Sequence, residues 1–188
     1  IPQGSVIIRP VLFITNTEIT NDGIKYIKHL KNLRVLGLGQ VNNNDSGLKH
    51  LSGLHNLHYL DLNGTNITGK GLTNLADFKK LRTLILNDTN VEGDGLAHIK
   101  DLQHLRKLNI SKTKCTSKDL QHLAELHKLH TLVLDDTRIT DLDALENLAS
   151  LWFLSLDNTD VNDASIASIE GLINLGALYL SDTDITDH

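Results

Sequence analysis

The side chains of this 188-residue chain that could bind a metal or act in catalysis are ten histidines, one cysteine and 23 carboxylates. Several histidines recur at fixed positions of a repeated pattern: His50, His98 and His122; His55 and His127; His58 and His130. Neighbouring copies therefore bring two histidines together without a carboxylate or thiolate between them, which makes a poor zinc site. We interpret these histidines as part of a repeat consensus, and weak adventitious binding of Zn²⁺ or Ni²⁺ is the alternative.

Motifs of enzymatic chemistry are absent from the sequence. The chain contains no GxSxG, P-loop or HExxH pattern, and its Asp-Gly pairs belong to the repeat consensus. Cys115 occupies the position that holds Ile67 and Val91 in other copies, so we expect a small buried apolar side chain there. The sequence therefore predicts no catalytic residue, no cofactor and no metal site.

Charge is divided unevenly along the chain. Residues 1–128 hold 17 Lys and Arg against 11 Asp and Glu, whereas residues 129–188 hold one Arg against 12 acids. Aspartate is favoured in turns, which is the simplest explanation of the acidic half. The alternatives are an acidic surface that selects or steers a basic partner, and a weak Ca²⁺ site, although no turn has the spacing of a dedicated calcium loop.

Two classes of partner are disfavoured by composition. The acidic half would repel nucleic acid, and the basic half has no recognised readout motif. No apolar run approaches 18 residues, so we expect no insertion into a membrane. The compartment is not indicated.

A single spacing organises the chain. Seven leucines head the same short phrase at steps of 24, 24, 24, 24, 22 and 24 residues: Leu33, Leu57, Leu81, Leu105, Leu129, Leu151 and Leu175. A fixed period of this length is typical of stacked supersecondary units rather than of one central core. With a degenerate copy that begins at Arg9, we count eight repeats over residues 9–188, the last of them incomplete. Residues 1–8 are interpreted as the remnant of an N-terminal cap, and we expect the chain to be a fragment of a longer protein.

Each repeat combines two periodicities. The LxxLxL segment alternates, which predicts a strand, and the second half carries apolar residues at every third position, as in Leu96, Ile99 and Leu102. That second spacing suits a short helix or a 3₁₀ segment laid against the strand. No repeat can bury its apolar face alone, but a stack of repeats buries one continuous core.

The consensus LxxLxLxxTxITDxGLxxLxxLxx resembles leucine-rich repeats, in particular the 24-residue repeats of bacterial, planctomycete-type proteins. It is also similar to the repeats of F-box substrate adaptors, without their cysteines. The 22-residue sixth repeat, residues 129–150, resembles internalin-like repeats. The resemblance implies an α/β solenoid: a right-handed curved stack with a parallel sheet on the concave face and short helices or 3₁₀ segments on the convex face.

A row of threonines follows the strands at one register position: Thr17, Thr65, Thr89, Thr113, Thr137, Thr159 and Thr183, with Val41 as the exception. We predict that each buried hydroxyl bonds to loop backbone in its own and the neighbouring repeat, at about 1 kcal/mol per bond. A repetitive threonine surface of the ice-binding kind is the alternative.

The outward positions of the strands are free for recognition because the core does not need them. Aromatic residues are concentrated there or beside them, although aromatic residues also favour strands in general. We predict a partner site on the concave face, with an acidic margin, formed by Phe13, Tyr59, Ile85, Trp152, Phe153, Tyr179, Asp135, Asp157 and Asp182.

The sequence thus favours a non-catalytic protein–protein interaction scaffold whose partner is a protein or peptide with basic flanks. Two alternatives stay open. One is a substrate-adaptor segment of a larger enzyme complex, and the other is a surface adhesin or glycan-binding module.

Overall fold

The computed structural model describes residues 10–186, so the predicted cap remnant at residues 1–8 lies outside the described residues. Within this range eight parallel strands form one sheet in chain order: β1 Val11–Phe13, β2 Val35–Gly37, β3 Tyr59–Asp61, β4 Thr83–Ile85, β5 Lys107–Asn109, β6 Thr131–Val133, β7 Phe153–Ser155 and β8 Ala177–Tyr179. The predicted strand of each repeat is present.

Short helical segments return the chain from one strand to the next. Within residues 10–186, four of these segments are α-helical: α1 Asn21–Ile24, α2 Asp45–Leu48, α3 Ser117–Leu120 and α4 Asp163–Ala167. Six are 3₁₀ segments: Lys25–His29, Lys49–Leu51, Gly69–Leu75, Gly93–His98, Gln121–Leu123 and Asp143–Leu145. Between residues 10 and 186, no helix has the length and apolar character needed to cross a bilayer.

The strand register follows the repeat spacing. Leu36 pairs with Leu60 and Leu60 with Leu84, one repeat apart. Across the short sixth repeat, Thr131 pairs with Phe153, so the missing two residues come out of the returning segment and not out of the sheet. That segment contains a single three-residue 3₁₀ turn.

One apolar core runs through the whole stack. The central leucines of strands β2 to β7, such as Leu60 and Leu84, are fully buried, and so are apolar residues of the returning segments, such as Leu72 and Phe78. The central leucines of the first and last strands are less buried, and Leu178 is 36% exposed. Cys115 is also fully buried in this core, and its burial raises the pKa of the thiol to about 11. The prediction of a small buried apolar side chain at this position is confirmed.

The turn after every strand contains one residue in the left-handed backbone region. Its φ lies between +53° and +61° at Asn16, Gln40, Gly64, Asp88, Lys112, Asp136, Asn158 and Asp182. Glycine, asparagine and aspartate tolerate this region best, and they occupy six of the eight positions. This backbone conformation therefore explains why aspartate and asparagine recur in the turns at this margin of the sheet.

The threonine row closes each turn. The hydroxyls of Thr65, Thr113 and Thr159 are buried and donate to the carbonyl oxygen three residues earlier, each at 2.6 Å. All seven threonine hydroxyls donate within their own repeat, so the predicted bond to the neighbouring repeat is wrong. The reason is that the turn brings its own carbonyl into reach, while backbone bonds already join the repeats, as from the Asn66 N–H to the Asn43 carbonyl.

The second repeat departs from this arrangement at two positions. Val41 is buried where the other repeats place threonine, and Asn43 is buried where they place an apolar residue such as Ile67. The Oδ1 and Nδ2 atoms of Asn43 have no hydrogen-bond partner among residues 10–186. A buried, unpaired amide is destabilising, so the second repeat is a weak point of the stack.

Polar side chains link neighbouring repeats on the returning side. The Asp45 carboxylate accepts the Thr68 N–H and hydroxyl at 2.9 and 2.7 Å, and Asp163 accepts the same two groups of Thr186 at 2.9 and 2.6 Å. These hydrogen bonds lower the pKa of Asp163. Between the third and fourth repeats the two backbones approach each other directly instead, since a Cβ on Gly95 would lie 2.6 Å from the Gly69 Cα.

Candidate site on the concave face

The outward face of the sheet is formed by the first and third residue of each strand, because the central residue points into the core. Most of these outward side chains are half-buried or exposed, and Ile85 and Val133 are half-buried near its middle. The face ends at two margins. We call the residues immediately before the strands the leading rim, and the residues of the turns after the strands the trailing rim.

The aromatic residues of the last two repeats form a cluster on this face. The ring centroids of Phe153 and Tyr179 lie 5.2 Å apart at an interplanar angle of 35°. Tyr179 is 48% exposed, although its ring is large and apolar. The two residues occupy opposite ends of adjacent strands, so their rings meet diagonally across the sheet. We call Phe153 and Tyr179 the C-terminal aromatic pair.

Trp152 lies beside this pair, on the leading rim. It is 48% exposed and its ring centroid is 5.9 Å from that of His130. The indole covers Gly176, where a Cβ would lie 2.1 Å from the Trp152 Nε1 atom. Because Gly176 has no side chain, the indole can pack against its backbone. The indole therefore lies at the margin of the C-terminal aromatic pair and not between the Phe153 and Tyr179 rings.

A second aromatic pair lies at the other end of the sheet. The Phe13 and Tyr59 rings meet edge to face, with their centroids 6.2 Å apart. Phe13 reaches Tyr59 across the second repeat because Gly37 lies beneath it, where a Cβ would be 2.2 Å from the ring. Burial, and then the nearby Asp61 carboxylate, raises the pKa of Tyr59. Four strand spacings, about 19 Å, separate the strand of Tyr59 from that of Phe153.

The predicted acidic margin belongs to the trailing rim of repeats six to eight. Asp135 and Asp157 are half-buried, and their Oδ1 atoms accept the backbone N–H of Asp157 and Ser181 at 3.1 and 2.7 Å. These bonds hold the two carboxylates at successive repeats. Asp182 occupies the left-handed turn position next to this row and is exposed. No ion pair among residues 10–186 includes these three aspartates.

The remaining titratable groups do not assemble into a centre. Within residues 10–186 no group of three or more His, Cys, Asp or Glu side chains could hold a metal ion. His122 lies 3.8 Å from the Asp94 carboxylate, a pairing that the spacing of the histidines did not predict. The Cys115 thiol is enclosed by the core and has no access to solvent.

One feature of the leading rim was not predicted from the sequence. A difference in charge between the two halves of the chain does not reveal it. The relevant basic residues recur once per repeat, at the position that follows the first leucine of the LxxLxL segment. In repeats two to six this position holds Arg34, His58, Arg82, Arg106 and His130. We call these five residues the basic row.

Comparisons with known proteins agree with this architecture. Leucine-rich-repeat family models match residues 53–76 and 79–139. No curated protein matches the chain in sequence.

Several solved structures are similar to the chain. The internalin InlF of Listeria monocytogenes is 26% identical with a TM-score of 0.80, over 94% of this chain and 48% of that one. This chain thus spans about half of InlF. Internalin C2 of the same bacterium is 28% identical with a TM-score of 0.72, over 91% of this chain and 80% of that one.

A plant receptor is similar in fold alone. The ectodomain of the Arabidopsis thaliana receptor kinase GASSHO1/SCHENGEN3, solved in complex with CASPARIAN STRIP INTEGRITY FACTOR 2, is 21% identical, with a TM-score of 0.73. The similarity covers 97% of this chain and 22% of the receptor chain. From its repeat spacing, its eight-stranded parallel sheet and these matches, the chain is a leucine-rich repeat protein.

Proposed function

We propose that this protein is a non-catalytic interaction module that binds a protein or peptide on its concave face. The C-terminal aromatic pair is the anchor, and the acidic trailing rim selects a partner with lysine or arginine beside an apolar residue. The observation that carries the proposal is the pairing of half-buried Phe153 with exposed Tyr179, their ring centroids 5.2 Å apart, on a surface that the core does not require.

Energetics favours an aromatic pair as the anchor. Burial of a large apolar side chain contributes about 1.5–3 kcal/mol, and exposed aromatic residues are frequent hot spots of interfaces. The pair also offers an apolar surface that is wider than either ring alone. Partner residues that cover Phe153 and Tyr179 would therefore supply a large share of the binding free energy.

The trailing rim adds selectivity. Residues 129–188 contain 12 acids and one arginine, Arg138, so the negative potential here has little compensation. Such a field accelerates the encounter with a basic partner and disfavours an acidic one, more strongly at low salt. Because Asp135 and Asp157 are held by backbone bonds, their charges are positioned before a partner arrives.

The comparisons support the general class of function. The internalins share the fold at 26% and 28% identity, and the plant receptor ectodomain with the same fold was solved with CASPARIAN STRIP INTEGRITY FACTOR 2 bound. They support an interaction module in general, whereas the location of the site rests on the aromatic pair and the rim of this chain.

The experiment is a selection of displayed random peptides against the wild-type protein, followed by binding assays on two double variants. Phe153→Ala/Tyr179→Ala removes the C-terminal aromatic pair, and the matched control Phe13→Ala/Tyr59→Ala removes the pair at the other end. Circular dichroism and thermal unfolding verify that both variants fold.

We expect enriched peptides to combine an apolar anchor with lysine or arginine, and to lose binding only to the first variant. Peptides that bind both variants as tightly as the wild type would refute the location on this face. Peptides that lose binding only to the Phe13→Ala/Tyr59→Ala variant would show that the anchor lies in the first repeats instead.

A further inference from the structure

The basic row lies on the leading rim, away from the acidic trailing rim. Its members stand at successive strands, so their spacing is about 4.8 Å per repeat and the distance from Arg34 to His130 is about 19 Å. Arg34, Arg82, Arg106 and His130 are exposed, and His58 is half-buried. The row is therefore a line of cationic and titratable side chains at the surface.

The sheet fixes the backbone of this row. The carbonyl of Arg34 accepts the N–H of His58 and Tyr59 at 2.8 and 3.1 Å, and the carbonyl of Arg106 accepts those of His130 and Thr131 at 2.8 and 2.9 Å. The side chains are thus mounted on a rigid, regular frame. A ligand with regularly spaced charges would meet the same geometry at each repeat.

None of the three arginines forms an ion pair within the described chain. None of the ion pairs found in residues 10–186 includes Arg34, Arg82 or Arg106. The loop residues that precede the row add further cations: Lys31, Lys79, Lys80 and Lys128. Carboxylates in the same loops are fewer: Asp77, Asp101 and Glu125, of which Glu125 lies 3.3 Å from His127.

A cavity of about 340 Å³ opens between members of the row. Arg34, His58 and Arg82 line it together with Tyr59 and two neighbouring strand residues. The guanidinium group presents a planar fork of donors that matches oxyanions such as sulfate and phosphate. The lining of this space thus includes two arginines and a histidine, and its volume is more than sufficient for one anionic substituent.

We propose that the basic row binds a linear sulfated polysaccharide that lies along the leading rim, at right angles to the strands. The sulfate groups of such a chain supply negative charge along its whole length, and one of them occupies the cavity between Arg34 and Arg82. This site is separate from the aromatic pair on the concave face and does not depend on it.

Two other polyanions fit this surface less well. An extended acidic peptide presents side chains on one side about every 6.6 Å, out of step with the strands. Single-stranded nucleic acid gains much of its affinity from stacking of bases on aromatic side chains. Aromatic side chains meet the row near its two ends, where Tyr59 lines the cavity and the Trp152 ring lies 5.9 Å from that of His130. The stretch from Arg82 to Lys107, in repeats four and five, contains no Phe, Tyr or Trp, so bases could not stack along the whole row.

The test measures the binding of a size-fractionated heparin oligosaccharide, long enough to span the row, between about 50 and 200 mM salt. The test variant is Arg82→Ser/Arg106→Ser. The matched control, Lys112→Asn/Arg138→Ser, removes the same charge from the trailing rim of neighbouring repeats. Thermal unfolding shows whether each variant retains its fold.

We expect the test variant to weaken binding about tenfold or more and to flatten the slope of log K against log salt by about one to two units. The control should bind like the wild type. Equal binding by the test variant and the wild type would overturn the proposal. A single-stranded oligonucleotide or poly-glutamate that binds more tightly than the oligosaccharide, with the same dependence on Arg82 and Arg106, would overturn the assignment to a sulfated polysaccharide.

Discussion

The buried asparagine of the second repeat offers a direct test of the energetics of the stack. Asn43 is fully buried at a position where other repeats hold Ile67, Val91 or Val161, and neither side-chain polar atom has a partner in the described chain. We predict that Asn43→Val stabilises the protein. The substitution removes two unpaired polar atoms and places an apolar side chain of similar size in an apolar core.

The magnitude follows from the cost of an unsatisfied buried group, which is about 1–3 kcal/mol. A gain of about 2 kcal/mol in the free energy of unfolding is therefore expected, and the midpoint of thermal unfolding should rise by about 4–8 °C for a chain of this length. A second substitution, Val41→Thr, should add about 1 kcal/mol because the hydroxyl can donate to the Leu38 carbonyl as in the other repeats.

Urea and thermal unfolding measure the global effect, and amide hydrogen exchange of Leu36 and Leu38 measures the local one. The control is Asn42→Val, since Asn42 is the exposed neighbour and its change should stay within about 0.5 kcal/mol. A loss of stability in Asn43→Val would contradict the argument, because it would mean that the amide is paired in the folded protein.

Three further predictions concern the turns, the close approach of two repeats and the buried thiol. Gly95→Ala should cost about 1–3 kcal/mol in urea unfolding, because its Cβ would lie 2.6 Å from the Gly69 Cα, whereas Gly171→Ala, with open space around it, should be close to neutral. Lys112→Asn should raise the unfolding free energy by about 0.5 kcal/mol, because φ is +53° there; a decrease would show that the lysine is not strained. Burial raises the pKa of Cys115 from 9.0 to about 11, so the unfolded chain loses this proton first as pH rises. Stability should therefore decline between about pH 9 and pH 11, this decline should be absent from Cys115→Val, and a thiol reagent should label the native protein only as fast as it unfolds.

The repeat spacing was sufficient to predict the strands, their order and the core. Strict alternation around Leu60 and Leu84 can be satisfied in only one register, and a fixed period brings each strand beside the previous one. The resemblance to leucine-rich repeats supplied the placement of helical segments on the other face. Each of these features depends on the residue type that recurs at one position of the repeat, and the sequence shows that recurrence directly.

Features that join different repeats were harder to predict. The bond from Thr68 to Asp45 depends on the position of two loops in space, and the diagonal meeting of Phe153 and Tyr179 depends on side-chain direction. The basic row was hidden because its charges are separated by a full repeat in sequence. An alignment of the repeats, read down the position of Arg82, would have revealed it.

The most direct test of the proposed function is a titration of the protein with one peptide enriched in the selection, monitored by calorimetry. If Phe153 and Tyr179 anchor the partner, the Phe153→Ala/Tyr179→Ala variant should bind about 100-fold or more weakly than the wild type, with its fold intact. An unchanged dissociation constant in that folded variant would contradict the assignment of the concave aromatic pair as the binding site.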